Sequence, residues 1–137
     1  MGDQKANRVI AQRLKPGVDF RKTLEQIVEL ERIRAGVLLS VVGSLSSAAL
    51  RTPAGTHIIL SEPLELVSGT GTVGSGGIHV HVSVSDENGV TFGGHLLEGC
   101  VIRTTLELTI LDLSANMVFD RVIDERTGYK ELVVNYL

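Results

Sequence analysis

The sequence predicts an α+β fold, with a mainly antiparallel sheet of about seven strands flanked by one or two helices. Three observations carry this. One segment, residues 20–34, repeats its apolar side chains at helical spacing. The rest of the chain breaks into short β-branched or alternating runs. Tight-turn residues join those runs, and no regular alternation of strand and helix suggests a parallel βαβ sheet.

Taken in order, residues 8–14 (RVIAQRL) read as a first strand that ends at Pro16-Gly17. Asp19 stands where a helix N-cap would, since its carboxylate can accept from the unpaired amides of the first turn. Phe20, Leu24, Ile27, Val28 and Ile33 then mark one helical face, with Gly36 as the expected C-terminal cap. Residues 37–42 (VLLSVV) form a run too continuous for a half-exposed strand, so a strand covered on both faces is expected. The segment 43–51 (GSLSSAALR) is expected to begin with a turn and to pack closely through its small residues. Further strands are expected at 57–60 and 63–67. Residues 78–84 (IHVHVSV) alternate strictly, and Asp86-Glu87-Asn88-Gly89 supplies the turn into 90–92. Residues 101–113, 118–123 and 131–134 complete the strand pattern. No internal repeat or linker divides the chain, so a single domain over 8–135 is expected, after a short tail at 1–7.

Composition narrows the function classes. The chain has 137 residues, 43% hydrophobic and 21% charged, the profile of a soluble globular domain. No apolar run approaches the roughly 18 residues of a membrane span, and the N-terminus has no apolar signal core, so a cytoplasmic protein with no membrane partner is expected. Cys100 is the one cysteine, which excludes an internal disulfide and suits a reducing compartment. Net charge is −3, unevenly placed: residues 1–51 hold nine Lys/Arg against five Asp/Glu, and residues 52–137 hold four against eleven. The basic half contains one aromatic, Phe20, hence no base-stacking platform. Charge by itself does not support binding to DNA.

Gly69-Thr70-Gly71-Thr72-Val73-Gly74 matches the spacing of a dinucleotide fingerprint. That chemistry needs a helix opening at the third glycine, so that its first amides meet the pyrophosphate. Here Ser75-Gly76-Gly77 and an alternating strand follow, and a hairpin loop is the expected structure.

The histidines are more informative. His79 and His81 stand two apart on a strand and so share a face. A hairpin returns the chain alongside them at Gly93-Gly94-His95, where the glycines permit close backbone approach. Three imidazoles converging in this way make a zinc-type site with a fourth position open. From spacing alone, a solvated face of an edge hairpin explains His79 and His81 equally well. His57 reads as a surface or capping residue, and Cys100 as a buried small hydrophobe rather than a ligand. Glu107 interrupts an apolar strand (TTLELTI) and is the candidate general base beside a metal-bound water, with solvent exposure as the alternative. Arg103 and Glu65 carry the same two readings. No nucleophile elbow, P-loop, CxxC or H-E-x-x-H is present.

Together these motifs resemble a family. Residues 13–19 (RLKPGVD), Ala35-Gly36 leading to Gly43-Ser44-Leu45-Ser46, then His79-Val80-His81, Gly93-Gly94-His95-Leu96 and Glu98-Gly99-Cys100 are similar, in this order, to the plants-and-prokaryotes-conserved (PPC) domain. The resemblance spans about residues 8 to 135. It implies an antiparallel sheet flanked by helices, a homotrimer, and a divalent metal, zinc, at His79, His81 and His95. Plant members follow an AT-hook and lack the histidines; this chain has no such hook, and so resembles the stand-alone prokaryotic members, often called DNA-binding. Three function classes stand: a homotrimeric metal-binding module with a small-molecule ligand or a protein partner, a DNA-binding or transcription-associated regulator, and a metal-dependent hydrolase using Glu107.

Overall fold

The computed structural model describes residues 5–137. Its elements run β1 (Arg8–Leu14), α1 (Phe20–Leu30), β2 (Ala35–Arg51), β3 (His57–Leu60), β4 (Leu64–Gly74), β5 (Gly77–Ser85), β6 (Thr91–Leu96), β7 (Val101–Asp112), β8 (Met117–Ile123) and β9 (Lys130–Tyr136). The fold is α+β: seven strands form one antiparallel sheet, and β8 and β9 form a separate hairpin.

The helix begins as its sequence dictates, with Asp19 accepting from the amide of Lys22 at 3.0 Å. Its face of Phe20, Leu24, Ile27 and Val28 is buried against the sheet. It ends earlier than the apolar spacing suggests. Arg32 adopts a left-handed conformation (φ 55°), which reverses the chain after Leu30 and delivers Ile33 to the core. Gly36 is therefore not a cap but part of β2. Among the described residues α1 is the one helix.

Two other expectations are corrected by pairing. No turn breaks the chain at Gly43: β2 continues for 17 residues because β4 and β7 bond to it on either side. Register shifts at 38–40, 43–45 and 45–47 absorb the bend that a turn would otherwise make. Nor is residues 69–74 a loop. They extend β4, with Thr70 opposite His81 and Thr72 opposite His79, and the turn is confined to Ser75-Gly76. No helix follows, so the dinucleotide geometry is not formed.

Strand order in the main sheet is β1-β7-β2-β4-β5-β6, with β3 on the end of β2. The sheet also curls on itself. The far end of β2 pairs with β6, Leu50 opposite Leu96 and Arg51 opposite His95. Ile78, Val80, Val82 and Val84 of β5 point into the core with Leu45, Leu50, Leu96, Ile102 and Leu106, while the odd-numbered positions of β5 face outward.

Candidate metal centre

The outward positions of β5 carry His79 and His81. Across the β5–β6 hairpin, His95 stands directly opposite His81. Nε2 of His79 lies 3.1 Å from Nε2 of His81, and one ligand nitrogen from each of the three imidazoles falls within 4.8 Å of the others. Ring centroids are 4.9 to 5.7 Å apart. The close approach around His95 depends on a missing side chain. A Cβ on Gly94 would come within 2.7 Å of the Arg51 carbonyl oxygen, closer than real Cβ contacts allow.

The donor set suits a borderline metal. Imidazole binds such ions as the neutral ring, and a bond near 2.05 Å with tetrahedral angles puts ligand nitrogens about 3.3 Å apart. The His79–His81 separation is already close to this. The surroundings favour the neutral ring at His95 and His79. Partial burial, then the positive charge of Arg51, His79, Arg21 and His81, push His95 down to about 4. Burial, then His81 and Arg121, lower His79, while Glu131 opposes the shift.

Around the triad stand residues that spacing did not reveal. Arg51 ends β2, and Arg121 comes from β8 and donates to Thr72 Oγ1 at 2.9 Å. Tyr129, Lys130 and Glu131 reach the same opening from the turn end of the β8–β9 hairpin, beside Arg121 in the strand register. Two adjoining cavities, about 340 and 410 Å³, share Arg51, His79, His95 and Tyr129.

A model of the Plants and Prokaryotes Conserved (PCC) domain, the PPC domain named above, matches residues 1–114. The chain belongs to this family. The match ends before β8, so the hairpin that supplies Arg121, Tyr129 and Glu131 lies beyond it. The PCC chain is 36% identical to a hypothetical protein from Salmonella enterica, whose structure superposes with a TM-score of 0.91 over 96% of this chain and 95% of that one. A metal-containing protein from Archaeoglobus fulgidus is 27% identical, with a TM-score of 0.79 and 96% of each chain covered. Two proteins described as bifunctional protein GlmU, from Synechococcus strains JA-3-3Ab and JA-2-3B'a(2-13), are each 44% identical over 91% and 88% of this chain. This PCC chain spans about a fifth of their length.

The PCC fold keeps the other candidates apart. Glu107 is exposed on β7, opposite Arg13 and Val42, with β2 and β4 standing between β7 and β5. It borders a separate depression with Arg13 and is not brought to the histidines: it pairs with Val42 of β2, whereas His95 pairs with Arg51, nine residues further along that strand. The carboxylate that does share their opening is Glu131. Arg103 and Glu65 are exposed on β7 and β4. His57 lies exposed on β3, opposite Arg51 in the strand register but outside the triad. Cys100 is fully buried, its Sγ 3.4 Å from the amide of Ala49, and burial pushes its thiol up to about 11.

Three of the nine basic residues in the first half of the chain pair with the protein's own carboxylates. Arg8 pairs with Asp112 and Glu31, Arg21 with Glu25, and Lys22 with Glu98. Among the described residues no helix is long and apolar enough to cross a membrane.

Proposed function

We propose that this PCC protein binds one divalent cation, zinc, through His79, His81 and His95, and acts as a cytoplasmic homotrimer. The carrying observation is the convergence of three imidazole nitrogens within 4.8 Å on one outward face. A family relative described as metal-containing, at 27% identity, supports it. With three protein ligands, a zinc ion there would have room for water or a small ligand and would act as a Lewis acid toward it. The chain's own residues supply the rest: the donor rings, two guanidiniums beside them, and one carboxylate, Glu131, at the rim. Exposed apolar side chains on the hairpin, including Val133, Val134 and Tyr136, favour a subunit contact there.

Metal content per chain decides the matter, measured on protein prepared without chelator or affinity-tag nickel, beside the His79→Ala/His81→Ala/His95→Ala variant. Near-stoichiometric zinc that disappears in the variant supports the reading. An equal, negligible content in both proteins overturns it.

A further inference from the structure

We propose that Arg51 and Arg121 make the cavity over the histidines a receptor for a small oxyanion, a carboxylate or phosphate group that also ligates the metal. This rests on the metal reading above and adds the ligand's chemical class.

The two guanidiniums arrive from different sheets. Arg51 is placed by the pairing that sets it opposite His95 at the closure of the main sheet. Arg121 is placed by its hydrogen bond to Thr72, the residue opposite His79. They thus flank the triad from two sides. Among the described residues neither has a carboxylate within ion-pair distance, and unlike the other unpaired arginines both line the cavity that holds His79 and His95. For Arg121 this stands out, since in residues 52–137 acids outnumber bases eleven to four. Lys130 adds a third cation at the opening, against the single carboxylate of Glu131.

Uncompensated positive charge beside a cation site calls for an anion. Guanidinium is the planar fork that matches the oxygens of carboxylate and phosphate groups, and it keeps its charge at any physiological pH. Cavities of about 340 and 410 Å³ suit a small molecule. The hydroxyl-bearing ring of Tyr129, common to both, gives the ligand an amphipathic wall.

The test is calorimetric titration of the full-length, zinc-loaded protein with glycolate and, separately, with inorganic phosphate. The same titrations are made on Arg51→Gln, Arg51→Lys and Arg121→Gln, with Arg103→Gln on β7 as the control. We expect saturable binding of at least one probe, weakened tenfold or more by Arg51→Gln and Arg121→Gln and unchanged by Arg103→Gln, with zinc content equal throughout. Partial recovery in Arg51→Lys assigns the effect to charge, and none assigns it to the bidentate fork; either agrees with the proposal. The tighter of the two probes tells carboxylate from phosphate. Retained zinc with no saturable binding, or with affinity unaltered in both glutamine variants, overturns the anion site while leaving the metal site standing. Failure of the protein to hold zinc overturns the metal reading, and the anion site with it. Should Arg121→Gln unfold, the exposed Arg51 position carries the test alone.

Discussion

Nε2 of His79 lies 3.1 Å from Nε2 of His81, although the two residues are separated by a buried valine in the chain. On a flat strand, side chains at i and i+2 stand about 6.6 Å apart at their Cα atoms, so the rings must lean together to meet. His95 joins them from the neighbouring strand at the one position directly opposite His81. The site is thus assembled by strand geometry, with no loop needed to complete it.

Removing one imidazole should separate ligands from bystanders. His81→Ala is expected to lower zinc affinity by more than the roughly 100-fold that loss of a supporting hydrogen bond costs a metal site. His57→Ala should leave it unchanged, since His57 stands outside the cluster. Both positions are exposed, so stability of the metal-free proteins should stay within about 0.5 kcal/mol of the parent. Competition with a chromophoric chelator measures the affinities.

Gly76 governs how the β8–β9 hairpin meets the site. A Cβ there would lie 2.5 Å from the backbone nitrogen of Arg121 and 2.8 Å from its Cγ. Gly76→Ala should push β8 outward, release Arg121 from Thr72, and destabilise the protein by about 1–3 kcal/mol. Zinc content should persist, because no histidine lies on the hairpin. Thermal unfolding and metal analysis of the variant check both halves.

Asp112 is a buried carboxylate, and burial alone would raise its pKa. Hydrogen bonds from Ser114 and the guanidinium of Arg8 outweigh burial and hold it below its ordinary 3.8. A carboxylate depressed in the folded state stabilises the fold above its unfolded pKa, and that stabilisation is lost as pH falls through the folded value. Asp112→Asn should therefore cost about 1–3 kcal/mol at pH 7. The loss should shrink below pH 3.8, where the parent also becomes protonated. Denaturant unfolding across that range gives the comparison.

Cys100 should resist thiol reagents in the folded protein at pH 8, its thiol being buried and raised to about 11. Because the folded value lies above the ordinary 9.0, its contribution to stability is intact below pH 9.0 and falls away as pH rises toward 11. Reaction with a disulfide reagent should become fast only in denaturant. Rapid labelling of native protein would contradict the burial, and zinc lost on Cys100→Ala would make it a ligand after all.

Much of the fold was legible because it depends on local periodicity. Alternation in IHVHVSV assigns Val80 and Val82 to the core and His79 and His81 to the opposite face. The helix start was legible because Asp19 caps it through a contact three residues away. Its end was not, since nothing in the apolar spacing signals the left-handed Arg32. The three histidines were legible for the same reason as β5: one strand and one short hairpin bring them together. Glu107 stands out in the sequence as a carboxylate amid leucines; in the fold it lies on the outward face of β7, at a depression separate from the histidines.

By itself, then, the sequence determined the helix start, most strands, the two faces of β5, and the nearness of the three histidines, all of which rest on contacts close along the chain. Residues 37–42, expected to be covered on both faces, instead leave Leu39 and Val42 exposed. Tertiary structure decided that β2 runs unbroken through Gly43 and that Arg51 meets His95. It also decided that the β8–β9 hairpin brings Arg121, Tyr129 and Glu131 to the same opening. Periodicity tells a residue which side of its backbone to occupy. Which strands become neighbours depends on the hydrogen bonds and burial that distant segments gain together, and no local pattern records that.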